Sequence, residues 1–157
     1  TLLGICGWRE SCTSIILTHK KEKDMILTCG DWFFNKMEKR TMQADNFDVA
    51  DLGNDWIEPT PLLVGDLEKN GFVLNRAWTT PFFEKKLGVY DRDNKWIDVA
   101  SIEVSKDLTF VSVNISLGKG EFRGLGSFFN PKGLQVHELQ QFLRLCGYAD
   151  IADNFVL

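Results

Sequence analysis

His137 and Glu138 offer the residue types of a zinc-protease helix, in which two histidines one turn apart hold the metal beside a glutamate base. The second histidine of that pattern is missing, because the residue one turn on is Gln141. The other histidine of the chain, His19, lies far away in the sequence. A zinc site therefore lacks ligands, and we interpret His137 as a residue on a helix surface or near a helix cap.

Glycines recur in the segment GKGEFRGLG at residues 118–126, a spacing that invites comparison with phosphate-binding loops. A P-loop places Lys and then Ser or Thr directly after its last glycine, whereas Gly126 is followed by Ser127 and Phe128. We therefore interpret this segment as a flexible hairpin or a surface loop, within a loop over 118–133, and predict no cofactor.

Carboxylates are numerous, and Asp91 and Asp93 faintly resemble the start of a calcium loop. The glycine and the distal glutamate of such a loop are absent, since Lys95 and Trp96 follow instead. Turn formation explains most of the aspartates. We predict no metal site and no catalytic residue, while an enzyme built from scattered carboxylates stays an alternative, because acid/base pairs are recognised by geometry.

Tryptophans and one basic strip supply the candidate binding residues. Trp32, Trp56, Trp78 and Trp96 are spread along the chain, and we expect most of them to be buried, with Trp96 the best candidate for exposure. The strip consists of three residues, Lys36, Lys39 and Arg40. Aspartates at 45, 48 and 51 follow it and would cancel its long-range field.

The composition is that of a folded protein, with 44% hydrophobic and 25% charged residues among 157. A net charge of −4 disfavours binding to duplex nucleic acid, which needs a concentrated basic surface. Apolar residues 14–18 are too few to cross a membrane, and the lysines that follow them are on the wrong side for a signal peptide. The four cysteines form no CxxC pair. We expect reduced thiols and a cytoplasmic location.

The charge balance changes near Met25, since residues 1–24 carry a net +1 and residues 25–157 carry −5. We predict that 1–24 is an extension outside the natural protein and that 25–157 forms one globular domain. In the competing interpretation the extension is a genuine arm whose Ile15, Ile16 and Leu17 add an edge strand.

Periodicity and turn signals predict the secondary structure around these residues. In the first half we predict a strand over 26–34 with a turn or bulge at Gly30 and Asp31, and short strands at 42–43 and 47–49. A helix over 62–70 would have Thr60 as its N-cap and Gly71 as its stop.

The second half predicts a meander of three strands, 82–90, 96–104 and 108–117, followed by one amphipathic helix. Val136, Leu139, Phe142, Leu143 and Cys146 form the apolar stripe of that helix, and Gly147 ends it. The predicted fold class is α+β: a small antiparallel sheet or partly open barrel, a short middle helix, and a C-terminal helix packed on the sheet.

Three segments resemble a family of small uncharacterised proteins encoded by phages, prophages and mobile elements of gut Bacteroidales. They are LTCGDWFF, EPTPLLVGDLEKNGF and VHELQQFLRLCG, in the order in which the family carries them. The resemblance covers 26–157 discontinuously and departs at 35–56 and 118–131. It implies a start near Met25 and an accessory role, with no assigned activity, cofactor or catalytic residue.

These observations favour a non-enzymatic accessory protein that acts by protein–protein contact in a bacterial cytoplasm. One alternative is a single-stranded nucleic-acid-binding β-barrel module, in which the basic strip follows a phosphate backbone and Trp32 or Phe34 stacks on bases. The other is the carboxylate enzyme described above.

Overall fold

The computed structural model describes residues 25–45 and 54–157. Their fold is α+β, as predicted, with two antiparallel sheets and three short α-helices. The chain divides into two compact units, Thr1–Pro59 and Thr60–Leu157. The predicted strand at 47–49 and the extension 1–24 lie outside the described residues. None of the helices in the described ranges is long and apolar enough to span a bilayer.

The first unit contains a sheet of three strands in the order β2-β1-β3. Its elements are β1 (Trp32–Asn35), β2 (Arg40–Gln43), a 3-10 turn (Asn54–Trp56) and β3 (Ile57–Pro59). Burial alternates along β1, where Phe33 and Asn35 are buried and Trp32 and Phe34 are only partly covered. Phe33 packs in a small core with Leu27, Ala44 and Ile57.

The tight turn predicted at Gly30 and Asp31 is confirmed, and it delays the first strand until Trp32. Gly30 adopts the left-handed conformation with φ of 91°. The buried Asp31 carboxylate accepts hydrogen bonds from the Thr28 amide at 2.8 Å and the Thr28 hydroxyl at 2.9 Å. The predicted strand over 26–34 is therefore too long, because residues 28–31 are used to close this turn.

The second unit contains five antiparallel strands whose spatial order follows the chain. They are β4 (Val73–Asn75), β5 (Phe82–Tyr90), β6 (Trp96–Ser105), β7 (Phe110–Gly118) and β8 (Glu121–Phe129). The predicted meander of β5, β6 and β7 is confirmed within two residues at each end.

Strand β8 contradicts the prediction of a loop over 118–133. Lys119 and Gly120 both have positive φ, 53° and 76°, which is the conformation of a tight hairpin turn between β7 and β8. Gly126 lies within β8, where a Cβ would come within 3.6 Å of the Phe142 ring. The glycines therefore shape a hairpin, one of the two interpretations of residues 118–126, and allow it to pack against a helix.

Helix α1 spans Val64–Lys69, so the predicted helix over 62–70 begins too early and Thr60 is not its N-cap. The Asp66 carboxylate accepts the Leu63 amide at 2.9 Å and supports the first turn. Leu62 stays extended because its amide donates to the Leu134 carbonyl at 2.9 Å, and the Val136 amide donates to the Thr60 carbonyl at 2.8 Å. Gly71 ends the helix at φ of 80°, as predicted.

Helices α2 (Val136–Leu145) and α3 (Ala149–Asp153) complete the unit. The predicted stripe of α2 is confirmed, since its four leading apolar residues are buried, and the Phe142 ring lies 6.4 Å from the Phe128 ring of β8. His137 is also buried, so it does not lie on the helix surface, but it is the second residue of α2 and lies next to the helix cap, the other predicted position. The buried Gln140 amide donates to the Ala152 carbonyl at 2.8 Å and ties α3 to α2.

Candidate functional site

One face of the five-stranded sheet packs against the core and the other carries polar and aromatic side chains. Ile102, Val104, Val111 and Val113 are completely buried on the core side of β6 and β7. The residues that alternate with them point the opposite way. We call this second side the open face.

The open face contains a cavity of about 480 Å³, formed entirely by residues of the second unit. Strands β4 to β8 and the segment between β4 and β5 contribute its walls. The lining residues that matter for its chemistry are Trp78, Phe82, Glu84, Glu103, Asn114 and Phe122.

Two glutamates of this lining lie side by side. Glu84 on β5 is directly opposite Glu103 on β6. Burial raises the pKa of Glu103 above its ordinary value of 4.5, the negative charge of Glu84 raises it further, and hydrogen bonds with Asn114 and Ser101 oppose the rise. The Glu84 carboxylate accepts the Asn75 side-chain amide at 3.0 Å. The hydrogen-bond donors around the pair are therefore neutral.

The lysine that lines the cavity, Lys86, is paired with Asp98 and not with either glutamate. Lys86 Nζ lies 3.8 Å from Asp98 Oδ2, and Asp98 also accepts the Trp96 indole N–H at 2.6 Å. In the part of the chain that the structure describes, no lysine or arginine lies within ion-pair distance of Glu84 or Glu103. The two carboxylates repel each other without a balancing cation among these residues.

A β-bulge determines which residues form the acidic pair. The register between β5 and β6 shifts at Leu87 and Gly88, so that Leu87 pairs with Ala100 and Gly88 with Asp98. Without this extra residue on β6, the hairpin would place Glu84 opposite Ile102. The sequence does not predict this pair, because the register set by the turn between β5 and β6 would place Ile102 opposite Glu84.

Trp96 is exposed, as expected, and lies beside the cavity without lining it. Its ring covers Gly88, where a Cβ would approach the indole to 2.5 Å, and meets the Tyr90 ring edge-on at 5.1 Å. Trp96 therefore supports the cavity wall indirectly, by donating a hydrogen bond to Asp98 and packing over the β-bulge at Gly88.

The other predicted binding residues, Trp32, Lys36, Lys39 and Arg40, all belong to the first unit. Lys36 is 3.2 Å from Glu58, and Arg40 is 2.6 Å from Glu38, so two of the three basic residues are paired with glutamates. Trp32 pairs with Gln43, at the end of the β1–β2 ladder opposite to Arg40. Trp32 and the basic residues therefore lie at opposite ends of β1.

The expectation that most tryptophans are buried is wrong. Trp78 is 68% exposed and Trp96 is 44% exposed, Trp56 is also exposed, and Trp32 is partly covered. The cores are filled by leucine, valine, isoleucine and phenylalanine instead. Large exposed aromatic residues are typical of binding surfaces, and Trp78 lies in the cavity wall.

Within residues 25–45 and 54–157, no three His, Cys, Asp or Glu side chains are arranged to hold a metal ion. No family model, curated protein or solved structure matches this chain.

Replacing Glu103 by glutamine should stabilise the protein at neutral pH by about 0.5 kcal/mol, the scale of one cross-strand pair. A glutamate whose pKa is raised in the folded state favours folding below its unfolded value of 4.5, and this benefit is lost as the pH rises through the folded value. The stability gained by Glu103→Gln should therefore shrink as the pH falls through the folded pKa and disappear below pH 4.5. Thermal melts across this range test it, with the exposed Glu121→Gln as control, and a Glu103→Gln protein that is less stable at neutral pH would contradict it.

Proposed function

We propose that this protein is a non-enzymatic binding protein and that the open face is its contact surface for another protein. The observation that carries the proposal is the cavity, whose rim presents Trp78 and Phe122, 68% and 56% exposed. Exposed aromatic side chains around a concave surface with polar groups at its floor are typical of binding sites. An accessory role, which the family resemblance implies, agrees with such an activity.

The chemistry of the cavity supports binding more than catalysis. Its lining holds no histidine and no cysteine, the side chains that most often act as a general base or a nucleophile. Ser101, the serine of the lining, is buried and is a hydrogen-bond partner of Glu103.

A second candidate is a hydrolase, favoured by the raised pKa of Glu103 beside Glu84. Two carboxylates whose environments separate their pKa values can divide the roles of acid and base, and aromatic walls suit sugar rings. Release of nitrophenol from a panel of nitrophenyl glycosides, which is lost in Glu103→Gln, would establish this candidate in place of the binding function.

Single-stranded nucleic acid has less support. The pairing of Lys36 with Glu58 and of Arg40 with Glu38 reduces the positive charge available for phosphates. We therefore place the binding function on the open face of the second unit.

Peptides selected from a random display library on the intact protein should bind the open face. For the best of them, the double variant Trp78→Ala, Phe122→Ala should weaken affinity at least about tenfold, as expected for aromatic anchors. Trp56→Ala is the matched control, because Trp56 is exposed but does not line the cavity. Isothermal calorimetry measures the affinities.

Failure to recover any binding peptide would contradict the proposal. So would peptides that bind the Trp78→Ala, Phe122→Ala protein as tightly as the unchanged protein, provided that circular dichroism shows the variant to be folded.

A further inference from the structure

We infer that the cavity receives a lysine or arginine side chain of the partner protein, held between Glu84 and Glu103. The inference rests on the proposed function and adds the chemical group that occupies the centre of the contact. It commits to a basic side chain because the centre of the cavity carries negative charge that the described residues leave unbalanced.

The charge balance of the cavity is the first support. Its lining contains Glu84, Glu103, Asp98 and Lys86 as charged residues, and the lysine is paired with Asp98. Asn75 and the polar side chains around Glu103 supply only neutral hydrogen-bond partners to the glutamates. A cation placed between the two carboxylates would be attracted by both and would reduce their mutual repulsion.

The position of the pair is the second support. Each glutamate is only partly accessible, and the two lie opposite each other on neighbouring strands in the cavity lining. Charge interactions are stronger there than on a fully solvated surface, because fewer water molecules screen them. A like-charge pair in this position lowers stability and gains a counter-charge when a cationic group binds.

The aromatic walls select an organic cation. Trp78, Phe82 and Phe122 line the same cavity as the glutamates. Aromatic faces attract ammonium and guanidinium groups, and they also pack against the apolar stems of lysine and arginine. A metal ion would make no use of these walls, and the described residues offer no cluster of three metal ligands.

The size of the cavity supports a side chain delivered by a polypeptide. A volume of about 480 Å³ is within the range of about 300–1,000 Å³ that holds a drug-sized ligand. This volume accommodates one long side chain together with part of its neighbours.

The test uses the peptides selected on the intact protein. They should be enriched in lysine or arginine next to apolar residues. Replacing the basic residue of the best peptide by its neutral counterpart, citrulline for arginine or norleucine for lysine, should weaken binding at least about tenfold, because a buried charge pair loses one partner. The same replacement should have little effect on binding to the Glu84→Gln, Glu103→Gln double variant, and Glu121→Gln should behave like the unchanged protein.

Acidification should also weaken binding of the basic peptide more than binding of its neutral form, because Glu103 becomes protonated. The charged groups that face Glu103 in the cavity are Glu84 and Lys86 on β5 and Asp98 on β6, and β7 contributes the neutral Asn114.

Each outcome separates this inference from the proposed function. If selected peptides depend on Trp78 and Phe122 but tolerate the neutral replacement, the open face binds protein and the inference is wrong. If no peptide is recovered, or if binding ignores both the aromatic pair and the glutamates, the proposed function fails together with it.

Discussion

Leu143→Asp should leave the protein largely unfolded at room temperature, whereas Leu145→Asp on the same helix should not. Leu143 is completely buried in α2, and Leu145 is 63% exposed two residues later. A carboxylate forced into the core must be desolvated without a partner, which costs several kcal/mol against a total stability of about 5–15 kcal/mol. At the exposed position the penalty is limited to about 0.3–1 kcal/mol from a negative charge near a helix C-terminus.

Circular dichroism and thermal melting of the two variants provide the comparison. Leu143→Ala adds an intermediate step, with an expected loss of about 2–5 kcal/mol for a buried leucine truncated to alanine. If both aspartate variants melted like the unchanged protein, α2 would not be packed on the sheet.

Gly88→Ala should have the second largest effect, a loss of about 1–3 kcal/mol, as for an overpacked site. A Cβ at this position would lie 2.4 Å from the Ile97 carbonyl oxygen and 2.5 Å from the Trp96 ring. The ring can move, but the carbonyl belongs to the paired strand and can shift only with the backbone of β6. Gly65→Ala is the control: a Cβ there meets nothing within 4 Å, so alanine should stabilise α1 by up to about 1 kcal/mol.

The substitution should also weaken binding of the selected peptides, because the bulge at Gly88 determines the register that places Glu84 opposite Glu103. Denaturant melts measure the stability, and calorimetry at a temperature where the variant is folded measures the affinity. A Gly88→Ala protein with unchanged stability would show that the close approach of Ile97 is relieved at no cost.

Periodic elements were predictable from the sequence because one face of each meets a core. Alternation from Val111 to Leu117 located β7, and the spacing of Leu139 and Leu143 located α2. Strand β8 was not predictable in the same way, because its glycines suggested a loop while its exposed side chains gave no alternation. The N-terminus of α1 was misplaced because Leu62 bonds to Leu134, a partner distant in the sequence.

The candidate site depended on details that residue types do not encode. Glu84 and Glu103 are ordinary surface residues in the sequence, and only the bulge brings them together. Large size favours burial of tryptophan, yet aliphatic residues and phenylalanines fill the core and leave Trp78 in the cavity wall.

The hydrogen bonds that join Thr60 and Leu62 to Leu134 and Val136 have a consequence for the order of folding. Every strand pair from β4 to β8 joins neighbours in the chain, so each hairpin can form by closing a short loop, on a timescale of about 1–10 μs. The hydrogen bonds between residues 60–62 and 134–136 instead close a loop that contains the whole meander. The entropic cost of closing this loop is offset only after α2 docks. We therefore expect the Leu62 and Val136 amides to gain protection from exchange late in refolding. They should also be among the first amides to exchange with solvent when the native protein opens partially.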